Sequence, residues 1–263
     1  MMRWIRIVVA LCLTAALGVS IYFGIMPFAL ACVVVAAALA YGWPRLTDSP
    51  QPRATTIMLF VLGVVGMATV WFAPTAPYLD WLPIVAGVGL LWAFVQNLVR
   101  GIGASHAVVN VSAQVAGLVI VLSAASWVGA IQVPGDKEAV IVGLVAILLA
   151  QAATVVPWPP RYTSPLALLL AVLGAAVTAT IMVDGSLNLW GAVGLGFAMG
   201  LLVAATDRIL GLVARSRLQT RELRKERRRD KARLLAVQMA LGAAPIALGG
   251  IVVYVIERIL LFR

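Results

Sequence analysis

The chain has 263 residues but only one histidine, two cysteines and ten carboxylates, and none of the ten lies mid-way along an apolar run. Each shortage excludes something. His106 has no second His, Cys or nearby carboxylate at ligand spacing, so no local metal motif exists. Cys12 and Cys32 read as small apolar residues inside the first two apolar runs, not as a disulfide pair. Mid-membrane carboxylates mark proton relays; here Asp80, Asp136, Glu138, Asp184 and Glu257 fall at run ends or beyond, which argues against a proton-coupled pump. A phosphate-cradling Gly-rich loop ending in Lys-Ser/Thr, a Gly-x-Ser-x-Gly elbow and a His-Glu-x-x-His pair are all missing. The remaining acids are Asp48, Asp207, Glu222, Glu226 and Asp230, too scattered to hold metal for a nucleotide-lipid transferase. The sequence predicts no catalytic residue and no cofactor.

What it does contain is apolar. Hydrophobic residues make up 63% of the chain and charged ones 11%, far from a soluble domain. Nine apolar stretches run over 7–24, 28–43, 57–73, 81–99, 107–131, 139–156, 166–183, 187–206 and 234–256. About 20 apolar residues cross a ~30 Å hydrocarbon core as a helix, so the predicted fold is an all-α polytopic bundle of nine spans. Its parts are an eight-span body (1–207), a basic helical segment (208–233), and a ninth helix with a short outer tail (234–263). The runner-up has eight spans, with 234–263 re-entrant or interfacial.

Seventeen of the twenty Lys and Arg fall in alternate gaps: Arg3, Arg6, Arg45, Arg53, Arg100, Arg161 and eleven between Arg208 and Arg233. Only Lys137, Arg258 and Arg263 fall in the others. The positive-inside rule then places the N-terminus in the cytoplasm and the C-terminus outside. A net charge of +10 is thereby explained by topology and anionic lipid, with no need for nucleic acid. The preference for Arg over Lys, with abundant Ala, Val and Gly, fits a high-GC bacterium and its inner membrane. Residues 1–24 read as an uncleaved first helix, Ala16-Leu17-Gly18 being the best signal-peptidase site available.

Local signals divide the runs. Ile25-Met26-Pro27 is the expected first outer turn, and the prolines of loop 44–56 are expected to end the second helix and keep the chain extended. Trp43, Trp158 and Tyr162 inside, and Trp71, Tyr78, Trp81, Trp127 and Trp190 outside, read as interfacial belts. Gly196-x3-Gly200 predicts a close helix approach within the bundle rather than a dimer. Pro245 with Gly249-Gly250 predicts a kink in the ninth span. Ser216-x-x-Gln219 is a capping-box pattern expected to start a separate cytosolic helix from Arg217. No internal repeat is visible.

One polar constellation stands out. His106, Asn110 and Gln114 recur every four residues at the start of the fifth span, a stripe about 12 Å deep at 1.5 Å per residue. Gln96, Asn97 and Arg100 end the fourth span, Gln96 and Arg100 one turn apart on a shared face, and the joint 101–105 is short enough for the two stripes to face each other. Gln151 and Asp207 lie at comparable depth. In hydrocarbon such groups need partners and turn inward. One reading is hydrogen-bonded glue between helices. The other is a cytoplasm-facing pocket for an anionic headgroup or small solute, with Arg100 as charge partner and His106 titrating.

Between residues 208 and 233, eleven cations oppose three acids, a net of +8. Glu222, Glu226 and Asp230 each have a basic residue three positions on, as in a solvated, ion-paired helix. Arg224, Lys225, Arg227, Arg228 and Arg229 are the expected contacts with anionic inner-leaflet lipid. The whole chain, including the phrase Tyr41-Gly42-Trp43-Pro44-Arg45-Leu46, resembles uncharacterised permease-like polytopic membrane proteins of high-GC Gram-positive bacteria. That resemblance implies a membrane setting and no particular chemistry. Two functions are expected from different classes: a transporter-like protein using the polar pocket, or a non-catalytic scaffold or accessory subunit with a partner in the membrane. Reporter fusions check the topology. Cytoplasmic signal is expected after Arg161 and outer-face signal after Gln132 and Arg263; a cytoplasmic signal after Arg263 would remove the ninth span.

Overall fold

The computed structural model describes residues 2–75, 77–99, 104–133, 137–156, 158–182, 187–222 and 230–261; for 2, 3, 104–106, 160, 215, 217–222, 230, 231, 260 and 261 it describes backbone alone. The helices are α1 (Met2–Ser20), α2 (Ile25–Leu46), α3 (Pro52–Trp71), α4 (Leu82–Val99), α5 (Ala104–Ser123), α6 (Ala125–Gln132), α7 (Lys137–Ala153), α8 (Pro160–Ile181), α9 (Leu189–Glu222) and α10 (Asp230–Leu261), with a 3-10 turn Ile21–Phe23 after α1. No strand occurs among the described residues. Eight spans are long and apolar enough to cross a membrane, one of them formed by α5 and α6 together. The outer surface carries side chains such as Leu98, Val108 and Ile209, an apolar coat that only lipid covers without cost. The protein is an all-α, multi-pass membrane bundle.

The helix ends sort into two groups. At one end Arg6 pairs with Asp207, Arg208 Nε donates to Ser164 Oγ at 3.0 Å, and Arg233 Nη2 donates to Asp48 Oδ1 at 2.7 Å and to the Arg45 carbonyl at 3.0 Å. At the other, Tyr78 donates its hydroxyl to the Gln132 carbonyl and Gln132 Nε2 donates to the Val70 carbonyl, both at 3.3 Å. A Cβ at Gly129 would meet Leu79 and Tyr254 there. The first end is the basic one. The seventeen residues of α7 cover only about 25 Å, yet α6 finishes at the far end and α8 starts at the basic end. So α7 crosses too, giving nine crossings among the described residues.

The ninth crossing is the centre of the molecule. In α10, 67% of the apolar window is buried, against 22% in α8, and α10 packs on α1, α2, α5, α6, α7 and α9. Ala236, Ala240, Ala243, Ala244 and Ala247 form its fully buried stripe. Small residues let backbones meet: a Cβ on Gly250 would lie 2.8 Å from the Ser123 carbonyl oxygen, and one on Gly242 would lie 2.9 Å from that of Arg6. The eight-span alternative for 234–263 is therefore excluded. α9 and α10, about 51 and 48 Å long at 1.5 Å per residue, both exceed the ~30 Å core.

Several local expectations change. The first turn is made at Gly24, whose φ of 106° suits glycine almost alone, and Pro27 lies in the first turn of α2. Pro44 stays inside α2, which ends at Leu46; Pro52 opens α3, where its missing N–H costs nothing. The fifth span is broken at Ala124 into α5 and α6. Ser216 starts no helix: α9 runs through it, and its hydroxyl donates back to the Val213 carbonyl at 3.0 Å. Cys12 is exposed and Cys32 buried, both unpaired. Gly196 and Gly200 press on α8, a Cβ at Gly196 meeting Ala175 at 2.7 Å, as the intramolecular reading required.

Two of the expected belt tryptophans are not interfacial. Trp127 is fully buried and donates Nε1–H to the Ile246 carbonyl at 2.7 Å. Trp43, 5% exposed, does the same to the Ala113 carbonyl at 2.7 Å. They bolt α6 to α10 and α2 to α5. Trp81 and Trp190, with Trp158 and Tyr162, remain exposed as belts require.

The close approach of α10 makes a test. Gly250→Leu is expected to destabilise the detergent-solubilised protein by several kcal/mol, of the order seen for overpacked cores. Gly194→Leu, with nothing within 4 Å of its Cβ, is expected to be neutral or stabilising by a few tenths. Equal thermal-unfolding shifts for the two would contradict the packing described.

Candidate functional site

The sequence-derived stripe meets the end of α2. Asp48 adopts φ 59°, a left-handed conformation that Asp tolerates, and Pro50 holds Ser49 extended. This turns the Ser49 hydroxyl in under α3, α4 and α5. There it donates to Asn110 Oδ1 at 2.9 Å and lies 3.2 Å from Thr55 Oγ1. Asn110 Nδ2 donates to Asn97 Oδ1 at 2.6 Å, Asn97 Nδ2 donates to Gln114 Oε1 at 2.9 Å, and Gln114 Nε2 donates to Thr55 Oγ1 at 3.1 Å. A hydroxyl has one proton. Ser49 gives its proton to Asn110, so Thr55 must donate to Ser49.

The result is a closed ring of five side chains, each donating to the next in one direction. Thr55, Asn97, Asn110 and Gln114 are all at most 5% exposed. Such head-to-tail chains polarise one another in a low dielectric. Asn97 spends its second proton on the Ala93 carbonyl at 2.7 Å, which leaves its amide no donor for a ligand. The ring ties the α2–α3 joint to α3, α4 and α5.

The other predicted site residues are distributed as follows. Gln96 is buried but lines a groove of about 330 Å³ beside Ala54, Ile57 and Trp92; its Nε2 has no hydrogen-bond partner among the described residues. Gln151 is also buried, with neither amide atom hydrogen-bonded among the described residues. It lies on α7, which packs on α1, α6, α8, α9 and α10, a different set of helices from those of the ring. Asp207 accepts from Arg6, joining α9 to α1 with both side chains partly buried. Asn110 and Gln114 are thus brought together, while Gln151 and Asp207 are not. Arg100 lies outside the described residues, as do Arg224, Lys225, Arg227, Arg228 and Arg229; His106 is described as part of the α5 backbone only.

Sequence reasoning missed Ser49 and Thr55, which close the ring. A Ser or Thr beside prolines is too ordinary to mark, and only the αL turn at Asp48 aims Ser49 inward. The ion pairs Arg6–Asp207 and Arg233–Asp48 were equally unreadable, being about 200 residues apart in sequence. The phrase Tyr41 to Leu46 is spent on packing: Trp43 bolts α5, and the Arg45 guanidinium lies 3.7 Å from the Tyr41 ring centre. No family model, curated protein or solved structure matches this chain. The site geometry therefore carries the functional reading.

Asn97→Leu removes two ring bonds and strands Asn110 and Gln114. It is expected to lower stability in detergent by about 2 kcal/mol, in line with stranded buried amides. A double-mutant cycle with Gln114→Leu is expected to give about 1 kcal/mol of coupling, near the upper range for membrane hydrogen bonds. Strict additivity would show that the ring does not act as one unit.

Proposed function

We propose that the protein is a non-catalytic scaffold or accessory subunit in a bacterial inner membrane, N-terminus inside, with a partner in the same bilayer. The observation that carries this reading is the closed ring. A pocket for a solute needs convergent donors and acceptors left open to the ligand. Here Asn97 spends both its amide protons, and Asn110 and Gln114 one each, on partners within the protein. The segregation of Arg6, Arg208 and Arg233 to one end supports the inward orientation by the positive-inside rule. The cations Arg224, Lys225 and Arg227–Arg229, which lie outside the described residues, are the proposed contacts with anionic lipid or a partner.

A transporter remains the second reading, and Gln151 favours it. A buried amide in a membrane helix with neither atom bonded calls for water or a ligand, and α10 beside it carries Pro245 and Gly249-Gly250.

The two readings part in reconstituted vesicles. The scaffold reading expects uptake of small solutes and flipping of labelled lipid at the rate of protein-free vesicles. Protein-dependent flux that falls about tenfold or more in Gln151→Leu, or in Arg100→Ala with His106→Ala, would replace it with the transporter.

A further inference from the structure

We propose that the groove between α8 and α9 is a binding site for one anionic phospholipid, its phosphate on Arg161 and Arg208 and an acyl chain between the helices. The groove has a volume of about 830 Å³ and opens at the basic end between those two arginines and Ser164, with Val172, Leu173 and Ala205 among its apolar walls. Polar atoms therefore occur only at the mouth, and the trough below is hydrocarbon. From Arg161 to Leu173 the helix rises about 18 Å, close to one leaflet of a ~30 Å core.

The mouth is built for a phosphate. Arg208 Nε donates to Ser164 Oγ at 3.0 Å, which fixes the guanidinium plane and leaves the Ser164 proton to donate onward. The Arg161 guanidinium lies 4.7 Å from the centre of the Tyr162 ring, a cation–π contact at the same mouth. Two guanidinium groups match the oxygens of a phosphodiester better than point charges do. Charge selects the occupant. A zwitterionic lipid brings a cation that two arginines repel, whereas an anionic headgroup brings none, and the inner leaflet that faces basic loops is where anionic lipid attracts them.

The walls are shaped by the same helices that close below. Gly196 and Gly200 bring α9 against α8, a Cβ at Gly200 falling 2.7 Å from Leu168 Cα. One turn further toward the basic end, Ala204 and Ala205 line the groove with little bulk of their own. The proposal rests on the inward orientation only for the choice of leaflet; lipid selectivity itself is independent of it and of the scaffold reading.

The test uses the full-length protein in phosphatidylcholine vesicles doped with spin-labelled phosphatidylglycerol or spin-labelled phosphatidylcholine. The immobilised fraction is expected to favour phosphatidylglycerol by about thirtyfold or more, about thirtyfold of it from two arginines at the surface. The variant Arg161→Gln/Arg208→Gln is expected to lower that preference by the same factor, leaving only what the basic segment contributes. Ala205→Trp, which keeps both charges and fills the trough, is expected to lose the immobilised phosphatidylglycerol as well; if the double variant does not fold, this arm decides. Water-soluble glycerophosphate is expected not to compete. Equal immobilisation of both lipids by the native protein would overturn the proposal. So would an undiminished preference in the double variant, which would belong wholly to the basic segment, or retention in Ala205→Trp. Competition by glycerophosphate would make the mouth a free-phosphate site and overturn it too.

Discussion

Everything in this bundle depends on how closely other backbones can approach α10. Between helices in lipid the hydrophobic effect offers almost no gain, because lipid tails are as apolar as leucine. What remains is dispersion contact, which falls off within a fraction of an ångström, and hydrogen bonds made where water is absent. The alanine stripe of α10, with Gly242 against the α1 backbone and Gly250 against the α5–α6 joint, supplies the contact. Trp127 then reaches the Ile246 carbonyl across that joint. At the break at Ala124 the two backbones lie close together, since a Cβ on Gly250 would meet both Ser123 and Trp127.

Polar side chains complete what packing begins. Asn97, Asn110 and Gln114 are costly in hydrocarbon, and closing a ring with Ser49 and Thr55 is one of few ways to satisfy them together. The ring also fixes the angle at which α3, α4 and α5 meet the end of α2, a region where α10 contributes through Arg233 and its bond to Asp48. Asp48 thus serves two structures, its carboxylate anchoring α10 and its backbone aiming Ser49. The polar content of the membrane domain is largely architectural by this account. Gln96 and Gln151 stand apart, as buried amides: Gln96 Nε2 and both amide atoms of Gln151 have no hydrogen-bond partner among the described residues.

The two faces of the membrane are built differently. The basic end carries long-range ion pairs, the polar ring and the extended ends of α9 and α10. The far end is held by aromatic and carbonyl contacts at Tyr78, Gln132 and Val70. Helices α8 and α9 pack tightly on each other yet leave a trough beside that contact. Such asymmetry suits a protein whose interactions lie on the side where its charge lies.

The sequence by itself determined the class, the number of crossings and the alternation of charge. These follow from run length, hydropathy and Lys/Arg position, which are additive along the chain and need no knowledge of neighbours. It also marked Asn110 and Gln114 as needing partners across the joint, because helical period and a short joint leave few alternatives, but it set Gln96 opposite them where the structure sets Asn97. Tertiary structure alone decided which partners they found. Whether Trp127 lies in a belt or a core, whether Asp207 joins a pocket or pairs with Arg6, and whether Ser49 closes a ring depend on distances between residues far apart in sequence. Periodicity assigns a side chain to a face of its helix. Which helix that face meets is set by where small residues permit close approach, a property of pairs of surfaces rather than of either sequence segment.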